Sequence, residues 1–199
     1  MTPQADTVLE LFRHTGAYLR GHFRLTSGLH SSEYLQCALV LQHPDFAAQL
    51  GAMLAAELRK VVEEAHQGVD CVTSPAMGGL IIGHEVARSF GVRHIFTERD
   101  ADRRMNLRRG FSVRPGERVV VIEDVITTGG STRDVIDVIQ GMGAQVVAAG
   151  SIIDRSGGRA DVGLRRVSLA TMQVAAHYPD TCPLCAQGIP VVKPGSRPE

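Results

Sequence analysis

The chain has 199 residues, of which 44% are hydrophobic, and its 21 basic and 21 acidic residues give a formal net charge of +0. This length and apolar content suit one α/β domain with a substantial core and exclude a largely disordered chain. The neutral balance gives no overall field that would attract nucleic acid, and no apolar run reaches the roughly 20 residues that cross a bilayer. We therefore expect a cytoplasmic protein whose partners are small molecules, with neither nucleic acid nor membrane among them.

The N-terminal part predicts one helix followed by short strands. Apolar residues recur on one helical face over residues 7–14, with Thr7 as the N-terminal cap. Glycines and serines break residues 16–40 into short alternating pieces, which predict small strands outside the main sheet. We interpret this stretch as a flap or hood. An amphipathic stripe over residues 44–68, beginning at Pro44, predicts a long helix.

The pattern then changes to short apolar runs that alternate with amphipathic segments. The runs predict buried strands at residues 69–73, 92–96, 119–122 and 146–149, and helices are predicted at 80–90 and 132–142. This alternation predicts an α/β protein with a central, mainly parallel sheet flanked by helices. We expect a single domain over residues 1–199, with a core at about 44–170 and a hood at about 16–40 that the C-terminal segment joins. The tail, residues 190–199, is predicted to be loosely ordered.

One segment after a predicted strand carries the clearest chemistry. It reads Glu123-Asp124-Val125-Ile126-Thr127-Thr128-Gly129-Gly130-Ser131-Thr132. Two adjacent carboxylates stand at the carboxyl end of a strand, which is where open α/β sheets bind ligands, and such a pair is costly unless ligands use it. The hydroxyls, backbone amides and helix N-terminus that follow favour a phosphate dianion. For the glycine pair alone, a tight turn with a helix cap is the alternative.

This segment resembles the phosphoribosyl pyrophosphate signature of the type I phosphoribosyltransferases. Its lack of a Gly-Lys-Ser/Thr ending disfavours a P-loop, and no Gly-x-Gly-x-x-Gly follows a strand. The resemblance implies the type I phosphoribosyltransferase fold, with Glu123 and Asp124 on the ribose hydroxyls and Asp124 as a catalytic residue. The residues that it assigns to phosphoribosyl pyrophosphate here are Glu123, Asp124, Val125, Ile126, Thr127, Thr128, Gly129, Gly130 and Ser131.

A second loop, residues 73–80, also follows a predicted strand and precedes a helix. By itself it is compatible with a simple glycine-rich turn. In the family that the chain resembles, the corresponding loop binds pyrophosphate and commonly contains a cis peptide bond. The resemblance therefore implies that Ala76, Met77 and Gly78 contact phosphoribosyl pyrophosphate and that the bond between Ala76 and Met77 is cis.

The hood segment, residues 21–34, resembles that of the orotate phosphoribosyltransferases through its Phe-x-Leu-x-Ser-Gly core. The resemblance implies that Tyr34 contacts the orotate ring and that Thr127 also touches orotate. Thr26 is a departure, because many members have a substrate-binding lysine there. Arg155 matches the position of an arginine that binds the orotate carboxylate, for which a guanidinium offers two parallel donors. A surface ion pair with the preceding aspartate is the alternative.

Arginines are concentrated in residues 98–110 without an apolar period, which predicts a mobile surface loop. In the related family this region closes over the site. The resemblance implies that Arg99, Arg103 and Arg104 bind phosphoribosyl pyrophosphate and that Arg99 and Arg103 act in catalysis by balancing charge on the leaving group. The lysine and histidine that many members use in this loop are absent, so the chain resembles a short-loop branch. A solvated charged face is the alternative.

The resemblance as a whole implies transfer of ribose 5-phosphate from phosphoribosyl pyrophosphate to orotate, giving orotidine 5-monophosphate and pyrophosphate in pyrimidine synthesis. It also implies Mg²⁺ as cofactor, held mainly by substrate oxygens, and a homodimer in which loop 98–110 reaches the partner's site. Two alternatives stay open: a transferase for a purine or another base, and a regulator that senses phosphoribosyl pyrophosphate. The N-terminus leaves no room for the helix-turn-helix that such a regulator would use.

The cysteines are Cys37, Cys71, Cys182 and Cys185, too few and too unevenly spaced for a disulfide framework, and we expect them to be reduced. Cys182 and Cys185 form a C-x-x-C pair, with His177 upstream. A C-x-x-C pair supplies two of the four ligands that a structural zinc site needs, and the sequence shows no second pair. A reduced turn that packs the C-terminus is therefore the preferred interpretation.

Overall fold

In the computed structural model, which describes residues 3–25 and 27–194, apolar runs form strands and the amphipathic segments between them form helices. The strands are β1 (Tyr18–Arg24), β2 (His30–Leu35), β3 (Cys71–Pro75), β4 (Arg93–Arg99), β5 (Met105–Leu107), β6 (Arg118–Ile126), β7 (Gln145–Asp154), β8 (Arg166–Thr171) and β9 (Ala176–His177). The helices are α1 (Pro3–His14), α2 (Cys37–Leu41), α3 (Pro44–Glu64), α4 (Gly79–Phe90), α5 (Gly130–Gly141) and α6 (Pro183–Ala186).

The main sheet has six strands in the order β5-β4-β3-β6-β7-β8. All neighbouring strands run parallel except β4 and β5. The predicted α/β class with a mainly parallel sheet is therefore confirmed. Strand β6 continues past the predicted end at residue 122, because Val125 and Ile126 still pair with β7. Glu123 and Asp124 consequently lie inside the last part of the strand and not in the turn after it.

Helices cover both faces of this sheet. Helices α1, α3 and α4 bury one set of apolar side chains against one face, and α5 packs on a second cluster with Cys71, Val119 and Val121. Leu54 and Leu58 of α3 are fully buried, and each contributes about 1.5–3 kcal/mol through the hydrophobic effect. The chain's apolar runs thus form strands that are buried on both sides, as a parallel sheet requires.

Beside the main sheet, β1, β2 and β9 form a separate antiparallel sheet. We keep the name hood for this sheet. The chain after α6 returns to it: the Val192 amide donates to the His22 carbonyl at 2.8 Å, and Val192 accepts from the Arg24 amide at 2.9 Å. The prediction of a loose tail is therefore wrong at Val192, whose backbone pairs with β1. Residues 195–199 and Thr26 lie outside the described residues.

The segment predicted to be a mobile loop, residues 98–110, is largely a β-hairpin. Strands β4 and β5 pair antiparallel, with Arg99 opposite Met105 and Thr97 opposite Leu107. Met105 is buried in the cluster that α5 covers. The prediction of a mobile surface loop is wrong for residues 105–107, because two alternating apolar side chains are enough to fix a three-residue edge strand to the sheet.

The N-terminal helix also begins earlier than predicted. Helix α1 starts at Pro3, so Thr7 lies within the helix and does not cap it. Helix α3 ends at Glu64, before Gly68. None of the helices in the described part of the chain combines the length and apolar character of a membrane span.

Candidate active site

Three of the predicted ligand loops leave the same edge of the main sheet. Strands β3, β6 and β7 are parallel, so their carboxyl ends meet at one edge, the position at which open α/β sheets bind ligands. The loops begin at Ala76, Thr127 and Arg155. The amide of Arg155 donates to the carbonyl of Ile126 at 2.8 Å, which ties the last two of these loops together.

The turn between β6 and α5 has the form of an anion cradle. Gly129 has a φ of 79°, and a Cβ there would lie 2.9 Å from Val162 Cγ1, so only glycine suits the position. No described residue caps the N-terminus of α5 with its side chain, although Thr128 Oγ1 accepts a long bond of 3.4 Å from the Gly130 amide. Thr127 and Thr128 are exposed. Amides and hydroxyls of this turn are thus open to a phosphate.

The two carboxylates before this turn have different surroundings. Glu123 is buried, whereas Asp124 is partly exposed. Both charges lie close enough to the Cys37 thiol to raise its pKa. Asp124 Oδ1 accepts from the amide of Val125 at 2.8 Å. Glu123 Oε1 likewise accepts from the amide of Asp124, at 3.2 Å, so the backbone orients both carboxylates and Asp124 is the more exposed of the two.

The loop after β3 packs directly against Asp124. A Cβ on Gly78 would lie 2.7 Å from Asp124 Oδ1, so the glycine leaves space beside the carboxylate that any other residue would fill. The peptide bond between Ala76 and Met77 is cis, which confirms the prediction. Met77 is 79% exposed. The structure thus brings the predicted pyrophosphate loop, residues 76–78, to the same place as the carboxylate of Asp124.

Arg155 is a partly buried cation with unused hydrogen-bonding capacity. Its Nε is buried and has no partner among the described residues. Its guanidinium carbon lies 6.0 Å from the centroid of the Tyr34 ring, which β2 of the hood supplies. Burial lowers the pKa of Arg155. The alternative of an ion pair with Asp154 is excluded in this structure, because that carboxylate pairs with Arg166 at 2.8 Å.

Asp154 shapes the loop that carries Arg155, a role the sequence alone did not reveal. The carboxylate accepts from the amide and hydroxyl of Ser156, at 2.7 and 2.6 Å, and from the amide of Gly158 at 3.1 Å. Burial acts to raise the pKa of Asp154, but the bonds from Ser156 and the ion pair with Arg166 outweigh it and lower the pKa. The one available signal was an aspartate followed by Ser-Gly-Gly, a composition typical of turns that fold around a carboxylate.

Cys37 is a second residue near the site that sequence reasoning did not place there. It begins α2 and is 1% exposed. Burial, together with the nearby charges of Asp124 and Glu123, raises the pKa of its thiol, and Arg155 acts in the opposite direction. Cys37 therefore stays protonated and packs in the hydrophobic core near these charged groups as a small apolar side chain.

The arginines of the hairpin separate into two groups. Arg99 donates to the Arg103 carbonyl at 2.7 Å and to Asp134 of α5 at 2.6 Å, so it holds the hairpin against that helix. Arg103 and Arg104 are exposed at the turn, and within the described chain their side chains form no ion pair. The turn lies after β4, at the same edge of the sheet as the ligand loops. Arg103 and Arg104 are thus the hairpin arginines available to a ligand.

Comparison with known proteins agrees with this arrangement. The family model for the phosphoribosyl transferase domain matches residues 40–176, which include the main sheet and all the ligand loops described above. The crystal structure of orotate phosphoribosyltransferase from Aeropyrum pernix has a TM-score of 0.65 at 27% identity, covering 83% of this chain and 94% of that one. An adenine phosphoribosyltransferase from Thermoanaerobacter pseudethanolicus has a TM-score of 0.63 at 17% identity, covering 82% of this chain and 99% of that one, and shows the fold alone.

Curated sequences are more similar still. A protein from Desulforamulus reducens named orotate phosphoribosyltransferase is 52% identical, over 96% of this chain and 97% of its own length. One of the same name from Pelotomaculum thermopropionicum is 53% identical over the same shares. The chain therefore belongs to the phosphoribosyltransferase family, within its orotate phosphoribosyltransferase branch.

Proposed function

We propose that the protein transfers the ribose 5-phosphate group from phosphoribosyl pyrophosphate to orotate, giving orotidine 5-monophosphate and pyrophosphate, a step of pyrimidine synthesis. The observation that carries the proposal is the environment of Arg155. Its partly buried guanidinium has a buried, unpartnered Nε and lies beside the ring of Tyr34, at the sheet edge that also holds the phosphate turn. Relatives at 52% and 53% identity carry the name of this activity.

Orotate suits this environment because it is a flat ring that bears a carboxylate. A guanidinium donates two parallel hydrogen bonds to a carboxylate, and in a buried site such charged bonds are about twice as strong as neutral ones. Tyr34 provides an aromatic wall for the ring, and Thr127 offers a hydroxyl at the end of β6. A purine or uracil has no carboxylate and would leave the Arg155 charge buried without a partner, which penalises binding.

Phosphoribosyl pyrophosphate would span the other loops. The turn at Thr127–Ser131 receives the 5-phosphate, Glu123 and Asp124 bind the ribose hydroxyls, and residues 76–78 receive the pyrophosphate. The contact between Gly78 and Asp124 supports this layout, because it puts the pyrophosphate loop next to the ribose carboxylate.

Magnesium suits the same place. The space that Gly78 leaves beside Asp124 offers carboxylate oxygen, which is the ligand type that Mg²⁺ prefers. Asp124 and Glu123 are the residues that would stand nearest to the ion, with most of its ligands coming from substrate oxygens. When bound, it supplies positive charge to the pyrophosphate.

The chain's own residues act mainly by position and charge. As pyrophosphate leaves, positive charge develops at the anomeric carbon of the ribose, where the carboxylate of Asp124 stabilises it. Arg103 and Arg104 balance the negative charge that grows on the leaving group, and Arg99 positions their hairpin through Asp134. Arg155 and Tyr34 hold orotate so that its ring nitrogen attacks the opposite face of the carbon, with inversion.

The proposal includes a cytoplasmic homodimer in which the hairpin turn of one subunit reaches the site of its partner. Exposure of Arg103 and Arg104 supports this arrangement, since both are available for contacts beyond their own chain. The alternative of a regulator that only senses phosphoribosyl pyrophosphate has less support, because the relatives at 52% and 53% identity are named for the transferase and the net charge of +0 gives no overall attraction for DNA.

Orotate absorbance, followed after mixing the purified protein with phosphoribosyl pyrophosphate and Mg²⁺, tests the proposal. Parallel reactions contain adenine, hypoxanthine or uracil. We expect consumption of orotate only, and none without Mg²⁺. Consumption of another base in its place would support the purine-type transferase, and binding of phosphoribosyl pyrophosphate without consumption of any base would support the regulator.

A further inference from the structure

A cluster of metal-binding side chains lies in the hood, apart from the ligand loops. It consists of His22 on β1, His30 on β2, and Cys182 and Cys185 at the start of α6. One potential ligand atom from each residue lies within 4.8 Å of the others. His22, His30 and Cys182 are buried and Cys185 is exposed. Two histidines and two cysteines are a ligand set typical of structural zinc.

We propose that these four side chains bind one structural zinc ion. The separations are close to those of a tetrahedral site: His22 Nε2 lies 2.9 Å from His30 Nδ1, 3.5 Å from Cys182 Sγ and 3.7 Å from Cys185 Sγ. Cys185 Sγ lies 3.3 Å from His30 Nδ1. Bonds of about 2.0–2.1 Å to nitrogen and 2.3 Å to sulfur put tetrahedral ligands roughly 3.3–3.8 Å apart. The two histidines must separate by a few tenths of an ångström, and all four ligand atoms already lie within 4.8 Å of one another.

A hydrogen bond outside the cluster prepares His22 for this role. His22 Nδ1 lies 2.7 Å from the carbonyl oxygen of Ile189. A carbonyl only accepts, so Nδ1 carries the proton and Nε2 presents a lone pair to the cluster. Bonds from the second ring nitrogen to a backbone carbonyl are the usual support of a metal-binding histidine, because they fix both its tautomer and its orientation.

Hydrogen bonding alone matches the cluster poorly. His30 Nδ1, Cys182 Sγ and Cys185 Sγ all converge on the single lone pair of His22 Nε2. One lone pair accepts one good hydrogen bond, and if Cys185 donates to His30 Nδ1 instead, at 3.3 Å, the two ring nitrogens face each other at 2.9 Å with no proton between them. A cation at the centre uses all four groups at once. The soft sulfur ligands and the set of two sulfurs with two nitrogens favour zinc over magnesium or calcium.

This assignment changes the interpretation of the C-x-x-C pair. His177, the histidine considered from the sequence, pairs with His30 in the backbone ladder but is not one of the grouped ligands. The other half of the site comes from the hood, and His22 is 160 residues from Cys182. The ion would fasten the C-terminal segment to β1 and β2, and β2 also carries Tyr34. Closing so long a loop restricts the unfolded chain strongly.

Metal analysis of the full-length protein, purified without added zinc and dialysed against a weak chelator, tests the proposal. We expect about one zinc ion per chain in the wild type. Cys185→Ser, which changes the exposed ligand, and Cys182→Ser are expected to lose it. His177→Ala is the matched control and is expected to keep it. Zinc at wild-type level in both cysteine variants would overturn the proposal.

Cobalt titration of metal-stripped wild-type protein gives a second test that needs no variant. We expect intense near-ultraviolet absorption from thiolate bound to cobalt, displaced by one equivalent of zinc, and a melting temperature about 5 °C or more above that of the stripped protein. Absence of both zinc in the purified protein and thiolate absorption with cobalt would overturn the proposal. These readouts do not depend on transferase activity, so the zinc site and the proposed function fail separately.

Discussion

The proposed function assigns base recognition to Arg155, so replacing this residue should affect the two substrates unequally. Arg155→Ala removes the charged donors to the orotate carboxylate and leaves the phosphate turn untouched. We expect the KM for orotate to rise about 100-fold, in line with the roughly 2–3 kcal/mol of charged hydrogen bonds, while the KM for phosphoribosyl pyrophosphate stays within about twofold. Steady-state kinetics with each substrate varied in turn measures both constants.

Arg165→Ala is the control for this change, because Arg165 is an exposed arginine paired with Glu64 of α3. It should leave both constants as they are. If Arg155→Ala weakened both substrates equally, Arg155 would have no specific role in orotate binding.

Replacing Asp124 should lower kcat, whereas replacing Arg155 should raise the KM for orotate. Asp124→Asn keeps an oxygen that accepts from the Val125 amide but removes the charge beside the developing cation. We expect kcat to fall about 100-fold, as for the loss of one electrostatic contact in a transition state, with an unchanged melting temperature. Asp137→Asn on the exposed face of α5 is the control. Wild-type turnover in Asp124→Asn would remove this carboxylate from the site.

The contact between strands β3 and β4 contains a histidine, His94, that is partly buried and uncharged at neutral pH. His94 Nε2 lies 2.9 Å from Ser74 Oγ. Burial, together with the neighbouring His84, lowers the pKa of His94 from 6.5 to about 4. The folded pKa is thus below the unfolded one, so the unfolded chain binds more protons in this range. The stability that this histidine contributes is complete above pH 6.5 and is lost as the pH falls towards 4.

From this shift we expect the free energy of unfolding to fall by about 2 kcal/mol between pH 7 and pH 5 because of His94. Urea denaturation at several pH values measures the slope. His94→Gln, whose amide can still bond to Ser74 but does not titrate, should remove that part of the slope. His14→Gln, on the exposed side of α1, should retain it. Equal slopes in the two variants would contradict the assignment to His94.

Elements also show what the sequence could and could not predict. Strand β6 and the turn at Thr127–Ser131 were predictable because neighbouring residues determine them: a continuous apolar run forms the strand, and a glycine pair forms the turn. Strand β8 was not predicted, because it lies at the sheet edge and Arg166, Ser168 and Thr171 give it little apolar content. The hairpin was missed for a similar reason. His22 and His30 could not be linked to Cys182 because only the folded hood brings such distant segments together.

In the proposed homodimer, the hairpin formed by β4 and β5 contributes Arg103 either to the site of its own subunit or to that of the partner. Arg99 fastens the base of the hairpin to α5 through Asp134, and the exposed turn projects Arg103 beyond this anchor. In a two-fold dimer whose interface includes this turn, the turn of each subunit contacts the surface of the other. Arg103 would then complete the pyrophosphate site of the partner, while Arg155 serves the site of its own chain.

Mixing Arg103→Ala with Arg155→Ala distinguishes the two arrangements, provided that orotate is kept near the wild-type KM, where the Arg155→Ala variant has little activity. Arg103→Ala keeps an intact orotate site, and Arg155→Ala keeps an intact hairpin, so a mixed dimer has one complete site if the hairpin acts across the interface. After subunit exchange at equal concentrations we expect about a quarter of the wild-type rate, since about half of the dimers are mixed and each has one working site of two. Measuring the rate before and after exchange gives the comparison. A rate that stays at the level of the separate variants would show that each hairpin serves its own chain, because no mixed dimer then has Arg103 and Arg155 in one site.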